Sequence, residues 1–176
     1  MTRRMMWAAL LCAALAGGPA HATAPAPAAE EMLPTPYTAE QIHANSPAGH
    51  MFRFRVEQGG KVVLHQTRFL TSTAEGAEVE VSTMDEQGKV LETSKAKVTW
   101  ADLQGHARFP KSSTTTTEEK VTTGLGTFDA TVYHVTDPTG KRLHFVFARS
   151  RPGPPVKYWA EADGRTIMSA EMVAYE

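Results

Sequence analysis

"GTFDATVYHVTDPTGKRLHFVFAR", residues 126–149, decides the fold class. Two runs rich in β-branched and aromatic residues flank "TDPTG", the pattern of an antiparallel hairpin. Its register has two solutions. With Thr136 opposite Lys141, Phe128, Ala130 and Val132 share a face with Leu143, Phe145 and Phe147, and His134 and His144 point to opposite faces. A three-residue loop instead sets Asp137 opposite Lys141. His134 then faces His144 directly, but Phe128 moves to the other side. A one-residue slip exposes part of an apolar face, so packing favours the first register.

The same rhythm extends in both directions. "HMFRFRVE" (50–57) alternates, with Phe52, Phe54 and Val56 on one face and Arg53 and Arg55 on the other. "QGG" turns into "KVVLHQTRFLTS", and a two-residue Gly59-Gly60 turn sets His65 opposite Phe54. "AEVEVSTM" places Val79 and Val81 opposite Glu78 and Glu80, and "VLETSKAKV" follows as a more polar strand. "KSSTTTTEEKVTT" (111–123) is a β-branched polar run suited to an exposed or edge strand. "VKYWAEA" and "TIMSAEMVAY" complete the series after the rigid "RPGPP".

Two stretches break the rhythm. Thr38 with Gln41 three residues on is a capping-box pattern for one short helix. Thr99 can cap a helical turn carrying Trp100 and Leu103, with Gly105 to end it. The expected fold is mainly β: a curved antiparallel meander or incomplete barrel of about eight or nine strands with one or two short helices.

Residues 1–22 have the layout of a secretory signal peptide: the basic "MTRRMM", the apolar "WAALLCAALAG" and the small-x-small "AHA". The apolar run is short of the roughly 20 residues a bilayer span needs, so no stable membrane span is expected after cleavage. "TAPAPAAEEMLPTP" (23–36) is an Ala/Pro-rich linker, and 37–176 is a single β-rich domain. Localisation is periplasmic or secreted. Cleavage removes the one cysteine, Cys12, which excludes thiol chemistry, disulfides and cysteine-based metal sites. It also removes Arg3 and Arg4 and no acidic residue, taking the formal charge from −1 to −3. That balance excludes an electrostatic footprint for nucleic acid.

No G-x-S-x-G, phosphate-binding glycine loop or H-E-x-x-H is present. Glu118 and Glu119 are neighbours on a strand and face opposite ways. No catalytic residue, cofactor or metal site is assigned, and the chain leans away from being an enzyme. His134 and His144 are weak metal candidates only, one or two ligands short of a usual zinc site even when they face each other.

The C-terminal third, at "GTFD" (126–129), "FVFA" (145–148) and "PPVK" (154–157), resembles a family of uncharacterised exported bacterial β-proteins. That group is similar in architecture to the bacterial lipoprotein-carrier fold. The resemblance implies an incomplete barrel with an apolar concave face and brings no catalytic residues. A cysteine common after its "FD" is Ala130 here. Fold analogy by itself does not establish transport.

Two functional readings stand. In one, the face carrying Phe52, Phe54, Val56, Val63, His65 and Phe69 binds an apolar or amphipathic, lipid-like ligand. In the other, the same residues form a dry core, and the protein meets a cell-envelope protein partner through surface loops or an edge strand.

Overall fold

The computed structural model describes residues 30–176. The expected signal peptide and the first part of the expected linker lie outside the described residues. Nine strands form: β1 (Met51–Gln58), β2 (Lys61–Ser72), β3 (Gly76–Met84), β4 (Val90–Thr99), β5 (Thr114–Thr123), β6 (Gly126–Thr136), β7 (Arg142–Ala148), β8 (Lys157–Ala162) and β9 (Arg165–Tyr175). Two short helices, α1 (Ala39–Ala44) and α2 (Trp100–Gly105), accompany them. Both expected caps form. Thr38 Oγ1 accepts from Gln41 N, and Thr99 Oγ1 accepts from Asp102 N, each answered by the reciprocal side-chain bond.

All strand pairs are antiparallel, in the order β4-β3-β2-β1-β9-β8-β7-β6-β5. The meander is thus interrupted once. Strands β1 to β4 step outward to one edge; residues 100–113 then cross to the opposite edge, where β5 starts a return that ends with β9 beside β1. The sheet stays open, with polar β4 and the threonine-rich β5 as its edges. Irregularities in β2 near Phe69 and at the β1–β9, β3–β4 and β8–β9 pairs bend it.

The crossing segment is what the sheet curls around. Phe69 and Val79 of β2 and β3 share one cluster with Tyr133, Val135 and Phe147 of β6 and β7, although many strands separate them in the sheet. Tyr37, Ile42, Trp100, Ala107 and Phe109 complete that cluster, so α1, α2 and the segment after α2 form a plug over the concave face. Trp100 fixes the plug: its ring stacks on Phe69 and on His43 of α1, and its Nε1 donates to the Thr73 carbonyl at 2.8 Å. The described part of the expected linker is attached to the plug rather than free. Leu33 N donates to Phe109 O at 2.9 Å, Tyr133 donates its hydroxyl to Pro34 O, and Leu33 packs on the main cluster.

The favoured register of the 126–149 hairpin is corrected by the structure. Asp137 N donates to Lys141 O at 2.9 Å, and His134 lies directly opposite His144. The turn decides this. Asp137 Oδ1 accepts from Thr139 N (2.8 Å) and Lys141 N (3.0 Å), while Gly140 takes a left-handed φ of +84°. That is the three-residue loop ending in a left-handed glycine. Packing does not oppose this register, because both faces of the hairpin are covered. Tyr133, Val135 and Phe147 join the plug cluster, and Phe128, Ala130, Val132, Val146, Ala148 and Val156 form a second cluster on the other side.

Candidate functional site

Alternation along the strands aims apolar side chains at the plug, but the plug does not fill the whole concave face. A cavity of about 580 Å3 remains between them, inside the range of small-molecule sites. Its floor comes from Phe52 (β1), Phe69 (β2), Val79 and Val81 (β3), Ala96 and Val98 (β4), and Phe145, Phe147 and Tyr158 (β7, β8). Leu103, Ala107 and Phe109 form its roof, and Gly153, Pro154 and Pro155 one wall. Ala96 and His106 line it and are exposed, so it opens beside edge strand β4.

Among the described residues, no Asp, Glu, Lys or Arg contributes to the lining, and His106 is the one imidazole in it. Its polar groups are few. Gln104 is already engaged, accepting from Ala39 N and donating to Thr35 Oγ1. Tyr37 donates its hydroxyl to Ala148 O. Burial pushes the hydroxyls of Tyr37 and Tyr158 to higher pKa, keeping both un-ionised. Such a wall would hold an apolar group by excluding water from apolar surface.

Of the six residues singled out in the sequence, Phe52 and Phe69 line this cavity. Phe54 is buried instead against Ala170 and Met172, with its ring 5.6 Å from Tyr158. Val56, Val63 and His65 continue along the same strand face outside the cavity. Phe54 pairs with His65 as expected, and His65 is exposed, its Nδ1 3.4 Å from Thr83 Oγ1. The missing lining residues have two origins. Val79 and Val81 were visible in the alternation of "AEVEV", whereas Leu103, Phe109 and Pro154 belong to irregular segments with no periodicity to follow.

The two histidines meet on the face away from the plug. Their Nδ1 atoms are 2.7 Å apart, within hydrogen-bond distance. His144 is buried, stacked on Trp159 at 4.5 Å, and its Nε2 sits 3.8 Å from the Glu161 carboxylate. Burial holds the His144 pKa below its ordinary value; Glu161 opposes this, and His134 and Arg142 add to it. Among the described residues, no group of three or more His, Cys, Asp or Glu is placed to hold a metal. A larger, shallow groove of about 1090 Å3 passes this pair and residues 110–115.

Comparison with solved structures finds the same architecture elsewhere. A Bacteroides fragilis protein of YmcC-like fold, described as exported, aligns over 74% of this chain and 97% of its own, with 12% identity and a TM-score of 0.50. MucB of Pseudomonas aeruginosa, solved in complex with MucA, aligns over 78% of this chain at 12% identity and a TM-score of 0.55. This chain spans about half of that MucB chain, 54%. The likeness is one of fold. No protein-family model and no curated protein matches the sequence.

Proposed function

We propose that the protein is an exported, non-catalytic β-domain that holds one apolar chain, such as the acyl chain of a lipid, between its curved sheet and its helical plug. The apolar, aromatic-lined 580 Å3 cavity carries this reading. At the roughly 30 Å3 that a water-sized group occupies in a liquid, it has room for on the order of twenty heavy atoms. That is one chain, not a folded partner. Export is supported by the signal-like N-terminus and by the YmcC-like neighbour described as exported.

Native mass spectrometry of protein purified from its exported compartment tests this. The expected spectrum shows an adduct of several hundred daltons that organic solvent removes. A bare polypeptide mass, with no uptake when fatty acids and fatty alcohols are added back, refutes it.

The second reading is an envelope protein partner, and edge strand β4 favours it. Its outer side is unpaired in the sheet, and Val90 and Leu91 at its start are 55% and 59% exposed. MucB, a neighbour solved in complex with MucA, supports this reading by analogy of fold. Leu91→Lys would weaken partner capture by β4 and leave chain binding intact; loss of neither property removes β4 from consideration.

A further inference from the structure

The side chains of His134 and His144 meet head-on. The 5.0 Å between their ring centres is the 2.7 Å Nδ1–Nδ1 contact plus a ring radius at each end, so both Nδ1 atoms lie on the line joining the rings. Such a contact holds with a proton on one nitrogen and a lone pair on the other. The neighbours assign which is which. On β5, Thr117 donates its hydroxyl proton to Glu119, so Thr117 Oγ1 receives the Nε2–H of His134 across 3.0 Å. Neutral His134 is then bare at Nδ1, and His144 Nδ1 supplies the proton.

A further proton has one place to go without disturbing this contact. His144 Nε2 has no hydrogen-bond partner and lies 3.8 Å from the Glu161 carboxylate of β8, which also accepts from Arg142 at 2.7 Å. Trp159 stacks on the same ring, and Glu30, Lys111 and Asp137 are the other charged groups of the adjoining groove. The closed pair thus leaves one of its four ring nitrogens without a proton even in acid, whereas two separated imidazolium rings protonate all of them. Below the ordinary histidine value of about 6.5, separation takes up that proton, and each further pH unit favours it by up to about tenfold.

Separation would reach the cavity through adjacent residues. Successive strand residues point to opposite faces, so Tyr133 and Phe145, next to the two histidines, face the plug. Both rings pack on Phe109 of the cavity roof, at 5.1 and 5.0 Å, and Phe145 is itself part of the floor.

We propose that the His134–His144 pair is an acid-released latch on the cavity. Charging both rings parts β6 from β7 at this point, loosens Phe145 and Phe109, and lets the bound chain go. This rests on the chain-binding reading above and adds its regulation by pH.

The test is hexadecanol displacing an uncharged polarity-sensitive dye from the full exported chain at about pH 7.5 and about pH 5, a range in which the alcohol itself does not ionise. Wild-type protein should bind several-fold more weakly at the lower pH, up to the roughly thirtyfold limit that one proton sets over one and a half units. His134→Gln still offers His144 a hydrogen-bonding amide but cannot be charged. It should bind like wild type at the higher pH and keep that affinity at the lower one. His144→Phe keeps a ring on Trp159, should flatten the pH dependence in the same way, and covers the case in which His134→Gln does not fold.

Equal wild-type affinity at the two pH values overturns the latch while the chain-binding reading survives. So does an acid loss as large in both variants as in wild type, which would place the effect on another group, such as buried His50 beside Phe52 and Phe69. Binding at neither pH overturns both.

Discussion

Replacing Trp100 tests whether the plug is held as described. The side chain is 5% exposed, stacks on Phe69 at 6.2 Å and 20° and on His43 at 4.6 Å and 24°, and donates to Thr73 O. Trp100→Ala removes the ring from between α1 and the sheet, a change that costs about 3–5 kcal/mol for a buried aromatic. About 1 kcal/mol of that belongs to the orphaned Thr73 carbonyl. Trp100→Phe keeps most of the apolar contact and loses the hydrogen bond, so it should cost about 1–2 kcal/mol. For a chain of this size the alanine variant should melt roughly 6–20 °C lower. Urea denaturation gives both values, and dye displacement run in parallel should show weaker chain binding in Trp100→Ala, since the cavity roof loosens. A cost below about 1 kcal/mol for Trp100→Ala would refute the claim that this residue ties the plug to the sheet.

Four further outcomes are expected. His144 and His50 both have depressed pKa values, mainly through burial, so the unfolded chain binds protons first as pH falls. Stability should therefore be full above the unfolded histidine value of about 6.5 and decline below it, down to the folded values. In a denaturation series across that window, His144→Phe should flatten the decline; an unchanged slope would contradict the assignment. Gly140→Ala forces a left-handed φ on a residue with a Cβ and should destabilise by about 1 kcal/mol, read from the urea midpoint. Thr99→Ala removes the α2 cap and should cost about 0.5–2 kcal/mol in the same assay. Val81→Trp projects bulk into the cavity from a half-buried site; it should abolish dye uptake with little change in melting temperature.

Much of this fold was legible because antiparallel strands alternate visibly. Phe52, Phe54 and Val56 against Arg53 and Arg55, and the two capping boxes, are local signals that need no tertiary information. Strand order was not legible. Placing β9 beside β1 and sending β4 and β5 to opposite edges depends on residues 100–113 crossing the sheet, and no local pattern encodes where a crossing ends. Alternation alone does not predict the His134–His144 pairing, because both faces of this hairpin are apolar and covered. Covering Val132 and Val146 by a second cluster removes the penalty of an exposed apolar face, and the turn chemistry of Asp137 and Gly140 is the better guide. The cavity was half legible. Its floor follows the alternation of β1 to β3, while its roof depends on how Leu103 and Phe109 pack.

The proposed ligand is a single chain held between the sheet and the plug. Methyl-labelled NMR during a hexadecanol titration tests it most directly, since valine, leucine and isoleucine methyls sample both faces of the sheet. Shifts concentrated on Val79, Val81, Val98, Leu103 and Ile42 are the expected result. Shifts at Val132 and Val146 on the opposite face, or none at saturating hexadecanol, would contradict it.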